Sequence, residues 1–523
     1  MLKEMLGQNY ISQAEYDDCV NTDLDVTETT PTNGNPYAEL VKTELARKIN
    51  TDAISDLKLK VYTYYDGELQ NALTNSVESV DANCDRRAVV LDDKNRISAY
   101  YSTCGEITRP LGSVIKPLLV FAPALDMGYV YSCSPLLDER INVNGYAPSN
   151  YNDVYYGYVS AKTALAKSLN SCAVKLLNDC GIENCISYLE KTDIPISDND
   201  ANLSLALGAS EKGAYLYQIA GAYGTFVNKG EYLSPTTIDR VQNQNGTLVY
   251  KNDDKRTKIF GEDTSYLIND MLKETVKSGT AKHLSTLSIP LSAKTGTVGN
   301  DNGNTDAYSV SYNGSYVTAF WIGNMDNSLM PNSYTGGNIP TKMAKIFWQS
   351  LINVKHTLKD TFTTDKVINK GIDKISYETD HKVELSNELF PKRYSVSEKF
   401  SVYHLPPTVS TRFISPTVEN GEISVNFNQI TIRLCLAEYY EFKIFKEYNG
   451  MKFLIFDSGT AGKNSDKTLF TDRNVFPDRT YRYSVIPYFR DKNRTVNGEE
   501  FFFEQVKTPS FYGDGEWWKD IFS

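Results

Sequence analysis

The sequence predicts an α+β domain, with helices packed on an antiparallel sheet, followed by a small β-sandwich. A hairpin pattern over residues 88–101 precedes a mostly helical stretch over 113–228, and short strand patterns return between 289 and 322. Strands, then helices, then a run of antiparallel strands is the order typical of α+β domains. Beyond Pro406-Pro407, short alternating segments separated by turn residues indicate a sandwich of about 100 residues.

The first 55 residues are predicted to form a polar helical segment ahead of the main domain. Ser12 and Glu15 have the spacing of a capping box, in which two side chains satisfy free backbone N–H groups at a helix start. A loop rich in Thr, Asn and Pro follows at 27–36, and a second helical pattern covers 37–49. The main domain is expected over 56–355 and opens with an alternating strand at 57–64.

The sheet of the main domain is predicted from separate strand patterns. They cover residues 88–91, 97–101, 289–297, 307–312 and 316–322. A turn at 92–95 joins the first two strands. Asn313-Gly314 joins the last two and predicts a two-residue hairpin turn, because both residues tolerate positive φ angles.

The chain after the main domain divides into a predicted linker, a sandwich and a tail. Residues 356–400 are polar and irregular, which is typical of a linker. A β-sandwich is predicted over 401–510 from short alternating strands. Its strand patterns cover 423–427, 441–445 and 481–487. We interpret residues 511–523, which include Trp517-Trp518, as a mobile tail.

Charge and composition exclude several classes of function. The formal net charge is −11 and no stretch is rich in Lys and Arg, which argues against a nucleic-acid partner. The eight cysteines include no C-x-x-C pair and the four histidines are scattered, so neither a metal site nor a cofactor is predicted. Disulfides stay open, because spacing alone does not give connectivity. No apolar stretch approaches the roughly 20 residues of a membrane span, and no signal peptide is recognisable.

Short motifs carry the chemistry. They are Ser113-Val114-Ile115-Lys116, Ser168-Leu169-Asn170 and Lys294-Thr295-Gly296-Thr297. Their order and residue types match the set S-x-x-K, S-x-N and K-T-G of active-serine enzymes. We therefore predict acyl transfer with Ser113 as nucleophile. The other predicted catalytic residues are Lys116, Ser168, Asn170 and Lys294.

The spacing within the first two motifs suits a proton-transfer role. Residues i and i+3 share one face of a helix, so Lys116 is expected beside Ser113. A lysine takes the proton of a serine once burial has lowered its pKa. A position at a helix start also favours developing negative charge. Ser168 and Asn170 are expected to relay protons and to orient the peptide.

The third motif is predicted to bind substrate. Lys294, with the hydroxyl groups of Thr295 and Thr297, is expected to hold a substrate carboxylate. The N–H of Thr297 is expected to reach the oxyanion of the tetrahedral intermediate. Gly296 completes this substrate-binding stretch.

The sequence also contains imitations of each motif. They are Ser55-Asp56-Leu57-Lys58, Ser197-Asp198-Asn199 and Lys277-Ser278-Gly279-Thr280. Context argues against them, because Ser55 stands just before a strand pattern and Ser197 lies in a polar turn after Pro195. Cys104 and Cys172 lie near the predicted site in sequence, and we interpret both as packing residues.

Longer segments around the motifs resemble class A penicillin-binding proteins. They are Arg109 to Pro117, Tyr146 to Tyr151, Leu205-Ala206-Leu207-Gly208, Asp306-Ala307-Tyr308 and Thr335-Gly336-Gly337. The resemblance covers roughly residues 37–350. It implies the transpeptidase fold shared with serine β-lactamases, peptidoglycan stem peptides ending in D-Ala-D-Ala as acyl donors, and β-lactams as covalent inhibitors. It also implies a location on the extracytoplasmic face of the cell membrane.

The resemblance carries expectations about the flanking regions as well. The sandwich resembles the fibronectin type III modules of some members, with cell-wall or divisome proteins as possible partners. Residues 1–24 resemble only the last helices of the glycosyltransferase domain of class A members, so we interpret 1–55 as its remnant and expect no glycosyltransferase activity. The family often has Gly-Gly where this chain has Tyr100-Tyr101-Ser102-Thr103-Cys104, so access of the acceptor is expected to differ.

Related functions stay open at this point. A class A β-lactamase uses an E-x-x-x-N segment, and none of Glu183, Glu190 and Glu211 has Asn four places on, which disfavours fast hydrolysis. A D,D-carboxypeptidase differs from a transpeptidase only in using water as the acceptor. A non-catalytic penicillin-binding scaffold is the alternative outside enzymes. The sequence does not give the stem-peptide chemistry, the acceptor or the oligomeric state.

Overall fold

A computed structural model describes residues 2–510 except 9, 22–34, 51–57, 301, 355–356, 427, 461–468 and 492–493. The predicted loop at 27–36 therefore lies mostly outside the described residues. The imitation motif at Ser55 and the Trp517-Trp518 pair lie outside them too.

The helices begin with the polar segment predicted ahead of the main domain. The described α-helices are α1 (Leu2–Gly7), α2 (Gln13–Asn21), α3 (Pro36–Ile49), α4 (Gly67–Glu78), α5 (Ala122–Asp126), α6 (Ala161–Ala166), α7 (Asn170–Cys180), α8 (Ile182–Leu189), α9 (Leu216–Val227), α10 (Glu262–Lys277) and α11 (Ile339–Asn353). The capping box before α2 is confirmed, because the Ser12 N–H donates to the Glu15 carboxylate at 2.7 Å and the Glu15 N–H donates to Ser12 Oγ at 3.3 Å. In the part of the chain that the structure describes, no helix combines the length and the apolar character needed to cross a membrane.

The strands fall into a central sheet, several small sheets and the C-terminal sheets. They are β1 (Lys60–Thr63), β2 (Asp85–Asp92), β3 (Ile97–Ser102), β4 (Pro135–Asp138), β5 (Gly157–Ser160), β6 (Glu231–Leu233), β7 (Ile238–Gln242), β8 (Leu248–Lys251), β9 (Arg256–Lys258), β10 (Ser292–Asn300), β11 (Gly303–Tyr312), β12 (Tyr316–Gly323), β13 (Val367–Asp373), β14 (Ser395–Ser401), β15 (Asn420–Asn426), β16 (Gln429–Cys435), β17 (Glu441–Tyr448), β18 (Met451–Asp457), β19 (Leu469–Asp472), β20 (Thr480–Asp491), β21 (Arg494–Asn497), β22 (Phe501–Phe502) and β23 (Val506–Lys507).

The central sheet is antiparallel and has the strand order β10-β11-β12-β2-β3. Successive side chains of a strand point to opposite faces. Val89 and Leu91 of β2 accordingly enter one apolar core, which includes residues of α9, and Ala88 and Val90 enter a second core with α4 and α11. Helices therefore cover both faces of the sheet, which confirms the predicted packing of helices on an antiparallel sheet.

The sequence misplaced some details of the main domain. The strand predicted at 57–64 forms as β1, but β1 pairs with β7 in a separate three-stranded sheet. The stretch predicted as mostly helical also contains the hairpin of β4 and β5. The hairpin at Asn313-Gly314 exists, yet neither residue has a positive φ. The Asn313 side chain instead accepts from the N–H groups of Ser315 and Tyr316, which stabilises the turn without a left-handed residue.

The segment predicted as an irregular linker, 356–400, is instead organised around a hairpin. Strands β13 and β14 pair antiparallel along their length. The hairpin packs on α10, because the Lys399 ammonium pairs with Asp270 and the Ser401 hydroxyl donates to Asp263. The polar sequence of this segment does not reveal that it packs on the main domain, because polar and charged contacts with α10 stabilise the hairpin.

Beyond this hairpin, two antiparallel sheets share one apolar core. The sheets have the orders β15-β16-β19 and β18-β17-β20-β21, and β22 and β23 also pair with β20. The shared core contains Ile432 of β16, Ile444 of β17 and Val485 of β20. This is the architecture of a β-sandwich. Its likeness to a fibronectin type III module and the domain boundaries remain predictions.

Candidate active site

Ser113 lies in a tight helical turn that begins the run of helical residues before α5. Gly112–Ile115 form a 3₁₀ turn and Pro117–Phe121 a π turn, so the predicted helix start is not a regular α-helix. Gly112 has φ +55°, which favours a residue without a side chain. In a 3₁₀ turn residues i and i+3 eclipse each other, so the motif spacing still places Lys116 on the side of Ser113.

A carbonyl from a distant segment fixes this turn. The N–H groups of Leu111 and Gly112 both donate to the carbonyl oxygen of Gly208, at 3.1 and 3.3 Å. A Cβ at Gly208, where φ is +84°, would lie 2.1 Å from the Gly112 carbonyl oxygen. The sequence pointed to Leu205–Leu207 and Gly208 only as part of a resemblance. The signal that identifies the role of Gly208 is the close backbone approach, which a single sequence does not reveal.

Strand β10 runs beside the Ser113 turn. It is the edge strand of the central sheet, so only one of its edges pairs with another strand. The other edge lies against the turn, and a Cβ at Gly296 would lie 3.1 Å from the N atom of Val114. A side chain at Gly296 would therefore require a small shift of Val114 or of β10. Glycine at this position of the third motif favours the close approach of the strand to the turn.

The second motif forms a sharp corner between two helices. Helix α6 ends at Ala166, and Ser168 has φ +60°, an unusual value for a residue with a side chain. Helix α7 begins two residues later, at Asn170. Strained backbone of this kind is typical of functional sites, where the surroundings hold it in place.

Two lysines converge on this corner. The Lys116 ammonium donates to the Ser168 carbonyl oxygen at 2.7 Å and to Asn170 Oδ1 at 2.6 Å, and lies 3.4 Å from Ser168 Oγ. Lys294 reaches Ser168 from β10 and donates to its Oγ at 2.8 Å and to the Thr295 carbonyl oxygen at 2.7 Å. The predicted catalytic residues Lys116, Ser168, Asn170 and Lys294 are thus brought together next to the turn that carries Ser113.

Burial gives both lysines unusual electrostatics. Each is 0% exposed, and in the described residues neither forms an ion pair with a carboxylate. Burial lowers the pKa of Lys116 to about 7. Burial, and after it the positive charge of Lys116, holds the pKa of Lys294 well below its ordinary value. A neutral amine at this position is able to accept a proton near neutral pH.

The hydroxyl groups of the third motif already have partners in the protein. Thr295 is 5% exposed, and its hydroxyl donates to Thr280 Oγ1 at 2.6 Å. The Gly336 N–H donates to Thr297 Oγ1 at 3.1 Å, which leaves the hydroxyl proton of Thr297 available for a ligand. A substrate carboxylate at Lys294 would therefore meet Thr297 more directly than Thr295.

One of the imitation motifs proves to be part of the site. Thr280, at the end of Lys277-Ser278-Gly279-Thr280, donates its N–H to the Ala166 carbonyl oxygen at 3.2 Å as well as bonding Thr295. It therefore links the Ser168 corner to β10. The sequence does not reveal this role, because the segment follows a helix rather than lying in a strand.

The other imitation that the structure describes lies on the surface. The Ser197 hydroxyl and the Asn199 amide both donate to Glu211, at 2.7 and 3.3 Å, in an exposed turn. Cys172 is buried in α7, in agreement with a packing role. Cys104 is only partly buried, and its Sγ accepts from Arg87 at 3.1 Å.

Comparisons with known proteins find penicillin-binding proteins. Residues 87–327 match the family model of the penicillin-binding protein transpeptidase domain. Penicillin-binding protein 1F of Bacillus subtilis is 32% identical over 296 residues, which cover 55% of this chain and 40% of that protein. Penicillin-binding protein 1A of Clostridium perfringens is 28% identical over 384 residues, covering 62% of this chain and 46% of that protein. The chain thus spans about half the length of these relatives.

Solved structures support the fold. PonA1 from Mycobacterium tuberculosis in complex with penicillin V gives a TM-score of 0.55 at 21% identity, covering 62% of this chain and 94% of that one. Penicillin-binding protein 1A from Haemophilus influenzae gives a TM-score of 0.59 at 17% identity, covering 78% of this chain and 82% of that one. At these identities the likeness concerns the fold alone.

Proposed function

We propose that this chain is a serine D,D-transpeptidase that cross-links peptidoglycan stem peptides through an acyl-enzyme on Ser113, on the extracytoplasmic face of the membrane. The observation that carries the proposal is the convergence of two buried lysines, Lys116 and Lys294, on Ser168 beside the Ser113 turn. The transpeptidase family match and the order of the motifs support it. Because the chain spans about half of its relatives, the activity, substrates and partners of the whole protein belong to this proposal.

In the acylation step, neutral Lys116 accepts the proton of the Ser113 hydroxyl. Ser113 Oγ then attacks the carbonyl carbon between the two D-Ala residues, and the resulting oxyanion is met by the N–H groups of Ser113 and Thr297. Preorganised donors of this kind contribute strongly, since removal of one costs roughly 100- to 1000-fold in rate in a serine hydrolase.

Collapse of the intermediate releases the terminal D-Ala. The C–N bond breaks, and the leaving amine takes a proton from Ser168 Oγ, which Lys116 and Lys294 contact from two sides at 3.4 and 2.8 Å. The Lys116 ammonium restores the proton of Ser168. The acyl group remains on Ser113 until an amine of a second stem peptide attacks it.

Substrate binding is assigned to the third motif. The amine of Lys294 and the hydroxyl of Thr297 are assigned as hydrogen-bond donors to the terminal carboxylate. The hydroxyl of Thr295 is instead bonded to Thr280. Gly296 lets β10 lie close enough to Ser113 for the peptide to be held between the strand edge and the turn. β-Lactams are expected to enter the same position and to acylate Ser113 irreversibly.

The direct test is intact-mass spectrometry after incubation with benzylpenicillin, with peptide mapping of the adduct. A stable penicilloyl adduct on Ser113, absent in Ser113→Ala, is the expected result. Absence of the adduct with the drug intact would favour a non-catalytic scaffold. Consumption of the drug without an adduct would favour a β-lactamase.

The acceptor distinguishes the two enzymatic alternatives. A stem pentapeptide should be converted to a cross-linked dimer when an amine acceptor is present. Release of D-Ala alone, unaffected by the acceptor, would identify a D,D-carboxypeptidase instead. Ser113→Ala is the control in both assays, since neither product should then form.

We also propose that the C-terminal sandwich is a fibronectin type III-like module that contacts cell-wall or divisome proteins. In support, the Phe476 N–H donates to the hydroxyl of Tyr481 at 2.8 Å, a contact between a buried tyrosine and the backbone a few residues upstream that resembles the tyrosine corner of such sandwiches. Pull-down of cell-envelope proteins by the full chain, compared with a chain lacking 401–510, tests this role.

A further inference from the structure

The corner that carries Ser168 and Asn170 is held by residues outside the motifs. Helix α7 begins at Asn170, and its N-cap residue is Leu169, whose side chain offers no hydrogen-bond acceptor. The first N–H groups of a helix have no partner within the helix and are usually satisfied by Ser, Thr, Asp or Asn at the N-cap. The start of α7 therefore needs an acceptor from elsewhere.

Asn150 supplies that acceptor from a distant position. Its Oδ1 accepts from the N–H of Asn170 at 2.7 Å and from the N–H of Ser171 at 3.3 Å. Asn150 lies 20 residues before Asn170 and is 4% exposed. The cap is thus buried and is formed only when the segment before β5 packs against α7.

A buried carboxylate orients the Asn150 amide. Asn150 Nδ2 donates to Asp138 Oδ1 at 2.7 Å and to the Val154 carbonyl oxygen at 3.0 Å. Asp138, at the end of β4, is 1% exposed and also accepts from the Ser171 hydroxyl and from the Tyr156 N–H. An amide has donors at one end and an acceptor at the other. Asp138 therefore turns the oxygen of Asn150 toward the start of α7.

The side chain of Asn170 is also held in one orientation, and this orientation determines which of its atoms faces Lys116. Asn170 Nδ2 donates to the Ser149 carbonyl oxygen at 2.7 Å, while its Oδ1 accepts from the Lys116 ammonium at 2.6 Å. Ser149 and Asn150 together thus hold both the backbone and the side chain of Asn170. The end of the Asn170 amide that faces Lys116 is its oxygen, which stabilises the protonated amine, whereas a reversed amide would point N–H groups at it.

We propose that Asp138 and Asn150 are positioning residues of this active site. Asp138 orients Asn150, Asn150 caps α7, and the capped corner holds Asn170 Oδ1 on Lys116. Neither residue contacts the reacting atoms, so both act through Asn170 and Lys116. The inference rests on the proposed function, because it assigns Asp138 and Asn150 a role in the transfer of the Ser113 proton to Lys116.

Asn150→Ala tests the role directly. The second-order rate constant for acylation by a fluorescent penicillin should fall by about 100-fold, since displacement of a catalytic group by about 1 Å has effects of this size. The midpoint of its pH dependence should move to lower pH, because protonated Lys116 loses an acceptor and the pKa of its amine falls further. A purely structural role would not move the midpoint.

Asp66→Ala is the matched control. Asp66 caps α4, far from the site in sequence, and its Oδ1 also accepts two N–H groups, those of Glu68 and Leu69 at 2.9 and 3.0 Å. Removing either cap takes acceptors from a helix start and is expected to lower the melting temperature. Asp66→Ala should nevertheless keep the wild-type acylation rate and midpoint.

Asp138→Asn provides a second variant of nearly the same size in case Asn150→Ala does not fold. Loss of hydrogen bonds to a charged acceptor is expected to lower the acylation rate by about tenfold and to shift the midpoint in the same direction. Rates and midpoints equal to those of the wild type in the folded variants would overturn the positioning role while leaving the proposed function intact. Equal loss of rate in Asp66→Ala would also overturn it. A wild-type chain that is not acylated at Ser113 would refute the proposed function, and this inference with it.

Discussion

The main domain and the C-terminal sandwich both contain buried lysines, but the partners of these lysines differ. Lys446 of the sandwich pairs with the Asp472 carboxylate at 2.9 Å, so its charge is compensated. In the described structure, the hydrogen bonds of Lys116 and Lys294 go to hydroxyl, carbonyl and amide oxygens. A buried ammonium paired with a carboxylate is a structural element, whereas a buried amine without one favours its neutral form. Lys116 and Lys294, but not Lys446, are therefore the lysines suited to proton transfer.

The surrounding sheets explain why the two regions differ. Strands β11 and β12 are buried at nearly every position, because helices cover both faces of the central sheet. Strand β17 of the sandwich alternates between more and less buried positions, because one of its faces meets solvent. A sheet covered on both faces excludes water from a lysine at its edge strand, and this exclusion is what lowers the pKa of Lys294.

Lys116→Met should have the largest effect, because it removes the buried amine that is proposed to accept the Ser113 proton. Methionine fits an apolar environment without carrying a proton, so the base is lost while the packing is largely kept. General acid–base groups contribute about 100- to 10,000-fold, and acylation of Ser113 should slow within that range. Stopped-flow acylation with a fluorescent penicillin measures it. A rate near that of the wild type would mean that another group removes the proton of Ser113. Lys294 would then be the next candidate.

The pH dependence of acylation should show that Lys116, unlike an ion-paired lysine, loses its proton near neutral pH. Because burial places the pKa of Lys116 at about 7, the rate should be level above this pH. Below it the rate should fall about tenfold per pH unit as the amine becomes protonated. Folding stability has the matching sign: the unfolded state binds the proton more tightly, so this group adds stability as pH rises from about 7 toward its ordinary pKa. A rate that is unchanged down to pH values well below 7 would contradict the assignment.

Lys446→Met should have the opposite profile, with no effect on acylation. Removing one partner of a buried ion pair leaves the Asp472 carboxylate without compensation, and the free energy of unfolding should fall by about 3 kcal/mol. Chemical denaturation measures the loss. Asp472→Asn in the same chain should recover part of the stability, since the uncompensated charge is then gone. A large loss of acylation would show that the sandwich and the active site are coupled.

The motif residues can be predicted from the sequence because their chemistry depends on residue type and order. The three motifs alone identify Ser113, Lys116, Ser168, Asn170 and Lys294, and the structure brings the last four into direct contact beside the Ser113 turn. The roles of these residues remain proposals. The sequence also predicts the hairpin of β2 and β3 and the strands β10 to β12, because their apolar runs are bounded by clear turn residues.

Residues that act through long-range contacts cannot be predicted in this way. Thr280 looks like part of an imitation motif, and its bonds to Ala166 and Thr295 join segments far apart in the chain. The β13–β14 hairpin has the sequence of a linker for the same reason, since charged contacts with α10 hold it. The sequence pointed to Asn150 only as part of a segment with a family resemblance, and its bond to the start of α7 becomes visible only in the folded structure.

The fold class, most strands of the central sheet and the candidate reactive side chains could be predicted from the sequence, because periodicity and residue chemistry are local properties. Three features required the folded structure: the burial of Lys116 and Lys294 with no carboxylate partner among the described residues, the approach of Gly208 to the Ser113 turn, and the end of the Asn170 amide that faces Lys116. The physical reason is that the pKa of a lysine and the direction of a hydrogen bond depend on what the rest of the chain places around them.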